Sequence, residues 1–111
     1  MQVIVRSRNA RIESRLRAIA ERKVARLERI ARDASRAEVD FLEERNPRIA
    51  GRHSCAVTLH LRGGRVTAHA AAAAPEAALG LVIDKLRHQV DRRKDRRVSR
   101  AHAPRRRGAA G

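Results

Sequence analysis

Aromatic residues are almost absent from this 111-residue chain. Phe41 is the only one, and neither tryptophan nor tyrosine occurs. Proteins that read single-stranded bases usually stack them on aromatic side chains, so this mode of recognition is nearly excluded. The hydrophobic core must be aliphatic, and the length fits one domain with a tail.

Cysteine and long apolar runs are also scarce. Cys55 is the only cysteine, so no internal disulfide can form. Together with the lack of a recognisable signal peptide, this favours a cytoplasmic location. No apolar run approaches the ~20 residues that a transmembrane helix needs, so we expect no membrane partner.

Residue sets for catalysis or metal binding are not identifiable. Paired carboxylates, a phosphate-binding glycine loop and a Ser/His/Asp set are all missing. Cys55 falls on the inward face of a predicted strand, away from any histidine, and is interpreted as a core residue. If Gly63 and Gly64 form the turn of a hairpin, His60 and His69 are diagonal neighbours roughly 7–8 Å apart. A metal site there would need a third ligand, and only Asp40 is plausible. Because no residue set for catalysis is identifiable either, we expect no enzyme activity, metal, cofactor or small-molecule substrate.

Positive charge, in contrast, is abundant and unevenly distributed. The net charge is +15, with +6 in residues 1–34, zero in residues 35–84 and +9 in residues 85–111. Arginine outnumbers lysine by 24 to 3. Arginine suits phosphate contacts, although coding bias would produce the same excess. Two cationic segments that flank a neutral one indicate a surface for a polyanion.

Both cationic segments contain a helical pattern. In the first, apolar residues recur every three or four positions from Leu16 to Ala31, and Asn9 or Ser14 could cap the helix. In the second, Pro75 fits the first turn, and an apolar stripe runs from Leu79 to Val90. The remaining faces are basic: Arg15, Arg22, Arg26 and Arg29 on the first helix, and Lys85, His88, Arg92 and Arg96 on the second.

The neutral segment has the alternation of strands. Residues 35–43 and 53–61 place every second side chain inward, and residues 66–70 continue after the turn at Gly63 and Gly64. A short strand at residues 1–5 precedes the first helix, and the polar residues from Arg6 are expected to end it.

The predicted fold is α+β, in the order β-α-β-β-β-α. Because each strand has one clearly apolar face, both helices should cover the same face of a four-stranded sheet, as a two-layer sandwich. We expect this domain to span residues 1–98 and residues 99–111 to form a basic, disordered tail.

Three stretches of this sequence resemble the ribosome hibernation-promoting factors, also called ribosome-associated inhibitor or sigma-54 modulation proteins. The first is Leu16-Arg17 followed by Lys23 and Arg26-Leu27-Glu28-Arg29. The second is Thr58-Leu59-His60-Leu61 with Gly63-Gly64 and Ala68. The third, Ile83-Asp84-Lys85-Leu86 with Gln89, Arg92 and Lys94, is the most specific.

The resemblance implies a fold similar to a double-stranded RNA-binding domain and a monomeric, non-enzymatic translation inhibitor. Its partners would be the small ribosomal subunit and 16S ribosomal RNA, and it would exclude messenger and transfer RNA from the decoding channel. By resemblance the chain is a short form or a fragment of a long one. Glu76 and Gly80 depart from the Tyr and Asp that the family often has there, which puts helix packing in question.

The basic faces and the resemblance together predict a set of RNA-binding residues. They are Arg22, Lys23, Arg26, Arg29, Lys85, His88, Gln89, Arg92, Arg93, Lys94, Arg96 and Arg97.

Two other functions fit the same residues. A general RNA- or DNA-binding module, such as an RNA chaperone, would use the same charge without preferring ribosomes. A protein-interaction module would recruit an acidic partner through the exposed sheet face or the basic tail.

Overall fold

Four strands and two helices follow one another in the predicted β-α-β-β-β-α order. The computed structural model describes the backbone of residues 1–8, 12–46, 48 and 52–110, and the side chains of these residues as far as Lys94. The strands are β1 (Gln2–Arg8), β2 (Arg36–Glu43), β3 (His53–Leu61) and β4 (Gly64–Ala72). The helices are α1 (Ser14–Ala25), continued by a 3₁₀ segment (Arg26–Arg29), and α2 (Pro75–Ala110).

The sheet has the strand order β1-β2-β3-β4. β1 runs parallel to β2, and the other neighbours are antiparallel. β1 extends to Arg8, so the prediction that the strand ends at Arg6 is wrong. Its pairing with β2 continues as far as Leu42, and the Arg6 side chain bonds Asp40 of β2 at 3.0 Å instead of ending the strand.

The core lies between one face of the sheet and the two helices. Inward residues of the central strands are fully buried, such as Val39 of β2 and Val57 of β3. The helices contribute their apolar stripes, including Val24 of α1 and Leu86 of α2, which confirms the two-layer arrangement. The prediction for Cys55 is also confirmed, because its side chain is 1 % exposed.

The hairpin between β3 and β4 turns one residue earlier than predicted. Leu61 pairs with Gly64, so the two turn residues are Arg62 and Gly63, and Gly63 has a φ of 78°. Two consecutive glycines allow either placement, because each can adopt positive φ. The shift places His60 opposite Arg65 and His69 opposite Ala56. The predicted diagonal pair of histidines is therefore wrong, since four residues of strand, ~13 Å, separate them.

Helix side chains donate hydrogen bonds to both edge strands. On β1, Arg17 Nη1 donates to the Val5 carbonyl at 2.9 Å. On β4, Lys85 and Gln89 donate to the carbonyls of His69 and Thr67. Unpaired carbonyls on an edge strand invite pairing with another chain, and these donors occupy some of them.

The ends of the helices differ from the sequence prediction in detail. α1 begins at Ser14 with Glu13 at the N-cap position, so Ser14 is not the cap, and Asn9 lies outside the described residues. α2 begins at Pro75 as predicted, and its helical backbone continues to Ala110. The disordered tail at residues 99–111 stays a prediction.

Candidate nucleic-acid interface

A basic groove runs between α1 and α2 on the side of the helices that faces away from the sheet. It consists of two adjoining hollows of about 390 and 460 Å³, and Arg26 and Arg87 line both. Lys23 lies at one end and Arg29 at the other. We call these four cations the groove cations. Among the described residues, two carboxylates, Asp84 and Asp91, also line the groove.

The chain reaches this arrangement through the change of helix type after Ala25. Side chains three residues apart eclipse one another in a 3₁₀ helix, whereas they are offset in an α-helix. Arg26 and Arg29 belong to the 3₁₀ segment, and both are exposed. Leu27, between them, is 1 % exposed and anchors the segment in the core. The two guanidinium groups are therefore presented in a row along the same side of the groove.

The groove cations are available for a ligand. Within the described part of the chain, none of them takes part in an ion pair or a side-chain hydrogen bond. Arg26, Arg29 and Arg87 are exposed, and Lys23 is half-buried against the helix. Four unpaired cations beside one another repel, and a polyanion in the groove would relieve that repulsion.

The opposite flank of α2 uses its polar side chains differently. Lys85 Nζ donates to the His69 carbonyl at 2.8 Å, and Gln89 Nε2 donates to the Thr67 carbonyl at 2.9 Å. One turn later, Arg93 Nη2 donates to the Arg62 carbonyl at 2.9 Å. We call Lys85, Gln89 and Arg93 the strand-facing row. Their spacing of four residues places one donor per helical turn along β4 and its turn.

The predicted RNA-binding residues therefore separate into groups. Lys23, Arg26 and Arg29 come together in the groove, whereas Lys85, Gln89 and Arg93 bond the protein's own backbone. The side chains of four others are exposed and have no partner among the described residues: Arg22, His88, Arg92 and Lys94. Arg96 and Arg97 belong to α2, and their side chains lie outside the described part of the structure. All twelve stay predictions as RNA contacts.

Arg87 is the groove residue that sequence reasoning missed. The basic row traced from Lys85 through His88 and Arg92 follows the other flank of α2. Arg87 lies two residues after Lys85, about 200° around the helix, and so faces α1. The sequence does indicate this orientation, because Arg87 lies four residues after Ile83, at the edge of the apolar stripe.

Comparisons with known proteins assign the chain to a family. The model of the sigma 54 modulation protein / S30EA ribosomal protein family matches residues 3–98. The chain belongs to this family. The match covers α1, α2 as far as residue 98 and all four strands except Gln2 at the start of β1, and it confirms the resemblance found in the sequence.

Solved structures give the same result. The N-terminal domain of Protein Y from Thermus thermophilus is 30% identical, with a TM-score of 0.68 over 83% of this chain and 98% of that one. A ribosomal subunit interface protein from Coxiella burnetii is 19% identical, with a TM-score of 0.76 over 86% of this chain and 99% of that one. The second likeness supports the fold alone. A search of curated protein sequences found no match.

Two departures from the usual pattern of this family leave the packing of α2 intact. Glu76 is exposed, and the buried residues Ala78 and Leu79 follow it directly. Gly80 lies in the wall of the groove, and a Cβ atom there would meet nothing within 4 Å. The concern about helix packing that these positions raised is therefore not realised.

Two other titratable groups with shifted pKa values lie in the core and on the open face of the sheet. Burial, with a smaller contribution from Asp40, raises the pKa of the Cys55 thiol to about 12, so little thiolate exists near neutral pH. On the open sheet face, His60 Nε2 lies 2.9 Å from Glu38 Oε2. The hydrogen bond from His60 is the largest cause of the lowered pKa of Glu38. Among the described residues, no group of three His, Cys, Asp or Glu could hold a metal, and no helix could span a membrane.

Proposed function

We propose that this chain is a ribosome hibernation factor that binds the small ribosomal subunit. It occupies the decoding channel, contacts 16S ribosomal RNA with its helical face, and excludes messenger and transfer RNA. It acts as a monomer in the cytoplasm without a cofactor. The observation that carries the proposal is the groove with four uncommitted cations in a member of this family.

The geometry of the groove suits a sugar-phosphate backbone. Guanidinium groups present paired donors that match phosphate oxygens, and Arg26, Arg29 and Arg87 offer three such groups near one another. Exposed Arg92 and Lys94 continue the positive surface of α2 beyond the groove. Because phosphates carry no sequence information, selectivity must come from the shape of the folded RNA around both helices.

Inhibition by this mechanism is steric. A rigid domain that fills a channel needs affinity and shape but no reacting group. The RNA-facing groups are long, flexible cations, whereas the sheet behind them is held by a continuous and largely aliphatic core. We therefore expect the affinity to depend on salt, and the fold itself to depend on it much less.

Co-sedimentation with purified ribosomes tests the proposal. Ribosomes are mixed with the protein at 50 and 200 mM salt, with and without excess duplex RNA, and separated on a sucrose gradient. We expect saturation at about one copy per small subunit, retained in the presence of competitor. With ~6–10 phosphate contacts, affinity should fall by ~10³–10⁵ between the two salt concentrations.

A preloading control separates the channel from the rest of the ribosome. Ribosomes that already carry messenger RNA and initiator transfer RNA should bind the protein much less than empty ones. Equal binding to both would contradict occupation of the channel. Diffuse binding that competitor RNA removes would instead indicate a general nucleic-acid-binding module.

A further inference from the structure

Asp33 joins three separate parts of the chain. Its Oδ2 atom accepts a hydrogen bond from the backbone amide of Arg62 at 3.1 Å and another from Arg93 Nη1 at 3.3 Å. The other terminal nitrogen of Arg93 donates to the Arg62 carbonyl at 2.9 Å. Asp33 thus connects the segment after the 3₁₀ helix to the β3–β4 turn and to α2. We call Asp33, Arg62 and Arg93 the Asp33 clasp.

The clasp lies near the end of the part of α2 whose side chains are described. Val90, 3 % exposed, is the last buried residue of α2 among those whose side chains are described, and Arg93 comes one turn later. Beneath the clasp is a hollow of about 240 Å³, lined on its apolar side by Ile30, Leu61 and Val90. Beyond Arg93 the helix continues, so a small rotation here would displace everything that follows.

The burial of the ion pair makes it more than a surface contact. The side chains of Arg93 and Asp33 are 23% and 26% exposed. Charge-assisted hydrogen bonds at partly buried positions are stronger than exposed ion pairs, and arginine can hold two acceptors at once in a fixed geometry. Here the fork of Arg93 spans the Asp33 carboxylate and the Arg62 carbonyl, which fixes both the distance and the angle of α2.

We infer that Asp33 is a positioning residue, which acts through Arg93 to fix the direction of α2 where it carries the exposed cations Arg92 and Lys94 past the sheet. This inference rests on the proposed function for its effect on ribosome binding. It also assigns Arg93 a structural role in place of RNA contact. The channel would then select a defined helix direction as well as positive charge.

Substitution of Asp33 separates positioning from charge. Asp33→Asn removes a negative charge and so raises the net charge by one. If charge alone governs binding, affinity for every RNA should rise slightly. If the clasp positions α2, affinity for ribosomes should fall although the protein has become more basic. Glu21→Gln, at an exposed position of α1, is the control with the same charge change.

Arg93→Lys is a second variant that changes no charge. A lysine offers one ammonium group without the planar fork, so it cannot reproduce both bonds of Arg93 in the same geometry. We expect it to behave like Asp33→Asn. Agreement between a variant that gains positive charge and one that keeps the charge constant would exclude an electrostatic explanation.

The measurements are ribosome affinity, affinity for a short RNA duplex, and amide hydrogen exchange of α2. We expect Asp33→Asn and Arg93→Lys to bind ribosomes roughly 5- to 30-fold more weakly than Glu21→Gln, with unchanged or tighter duplex binding. Exchange around residues 90–94 should accelerate by a similar factor, and by clearly more than exchange at Leu86 and in the central strands.

Unchanged exchange together with ribosome binding equal to that of Glu21→Gln would overturn the inference. A loss of protection in β2 and β3 as large as that around residues 90–94 would also overturn it, because the clasp would then stabilise the whole fold instead of directing one helix. If wild-type protein failed to bind ribosomes, the proposed function would fall. The exchange comparison would still decide whether the clasp holds α2.

Discussion

The two flanks of α2 carry similar polar residues and use them in opposite ways. On the strand-facing row, Lys85, Gln89 and Arg93 donate to backbone carbonyls of β4 and its turn. On the flank toward α1, the Arg87 side chain has no hydrogen bond or ion pair among the described residues. One flank thus fastens the helix to the sheet, and the other leaves its charge free for a ligand.

Because of this difference, the net charge overestimates the number of cations that are available to bind RNA. A cation that already donates to a carbonyl must give up that bond before it can reach a phosphate, and the carbonyl must find water or another donor. A cation without a partner gives up only its hydration. We therefore expect the groove cations to contribute most of the RNA affinity, and the strand-facing row to contribute mainly to stability.

Charge reversal in the groove should have the largest effect. Arg26→Glu combined with Arg87→Glu places two carboxylates where both hollows meet. We expect ribosome affinity to fall at least ~100-fold, and the slope of log affinity against log salt to decrease by about 2. Because both residues are exposed, the free energy of unfolding should change by less than about 1 kcal/mol.

The matched control is the double variant Arg48→Glu with Arg65→Glu. It makes the same change in net charge at two exposed positions away from the groove. Filter binding or co-sedimentation at two salt concentrations compares the two proteins. An equal loss of affinity in both would show that the total charge, and not the groove, governs binding.

Much of the fold could be predicted from the sequence, because periodicity reports burial directly. The alternation around Val39 and Val57 gave the inward faces of β2 and β3, and the stripe around Leu86 gave the buried face of α2. The β1 strand was predicted too short because its last residues are polar on both faces. Their pairing with β2, which holds them in the strand, is not encoded in their own alternation.

The candidate site was harder to predict, because the sequence does not indicate which group a charged side chain contacts in the fold. Lys85 and Arg87 are two residues apart and look equivalent in the sequence. Which of them faces β4 and which faces α1 depends on how the helices pack. In the same way, Arg93 belonged to a basic run, and nothing local to it indicated Asp33, which lies 60 residues earlier in the chain.

Single substitutions on the two flanks should have opposite consequences of intermediate size. Gln89→Ala removes the donor to the Thr67 carbonyl, so we expect the free energy of unfolding to fall by about 1 kcal/mol, with ribosome affinity within about threefold of wild type. Arg87→Gln should leave stability nearly unchanged and weaken ribosome binding by roughly 5- to 10-fold at low salt.

Urea unfolding and ribosome binding, measured on the same preparations, check this pair of variants. The comparison between the flanks is contradicted if Gln89→Ala loses more ribosome affinity than Arg87→Gln while remaining as stable as wild type. That result would mean that Gln89 leaves β4 on binding and contacts the RNA directly.

The smallest effect that we predict is a dependence of stability on pH. Desolvation alone would raise the pKa of Asp33, but hydrogen bonds from Arg93, its own backbone and the Arg62 amide, with attraction to Arg93, lower it below its usual value of 3.8. A lowered pKa means that folding favours the carboxylate, so its contribution is complete above about pH 4 and is lost as the pH falls through the folded-state value. We therefore expect wild type to be more stable than Asp33→Asn by a constant amount, about 1 kcal/mol, from pH 5 to 7, and the difference to shrink below pH 4.

Denaturant unfolding of both proteins from pH 2.5 to 7 measures this difference. The contributions of other carboxylates such as Glu38 are the same in both proteins and largely cancel. A difference that stayed constant down to pH 2.5 would mean that the charge of Asp33 does not hold Arg93, and that the strand-facing row stabilises α2 without the clasp.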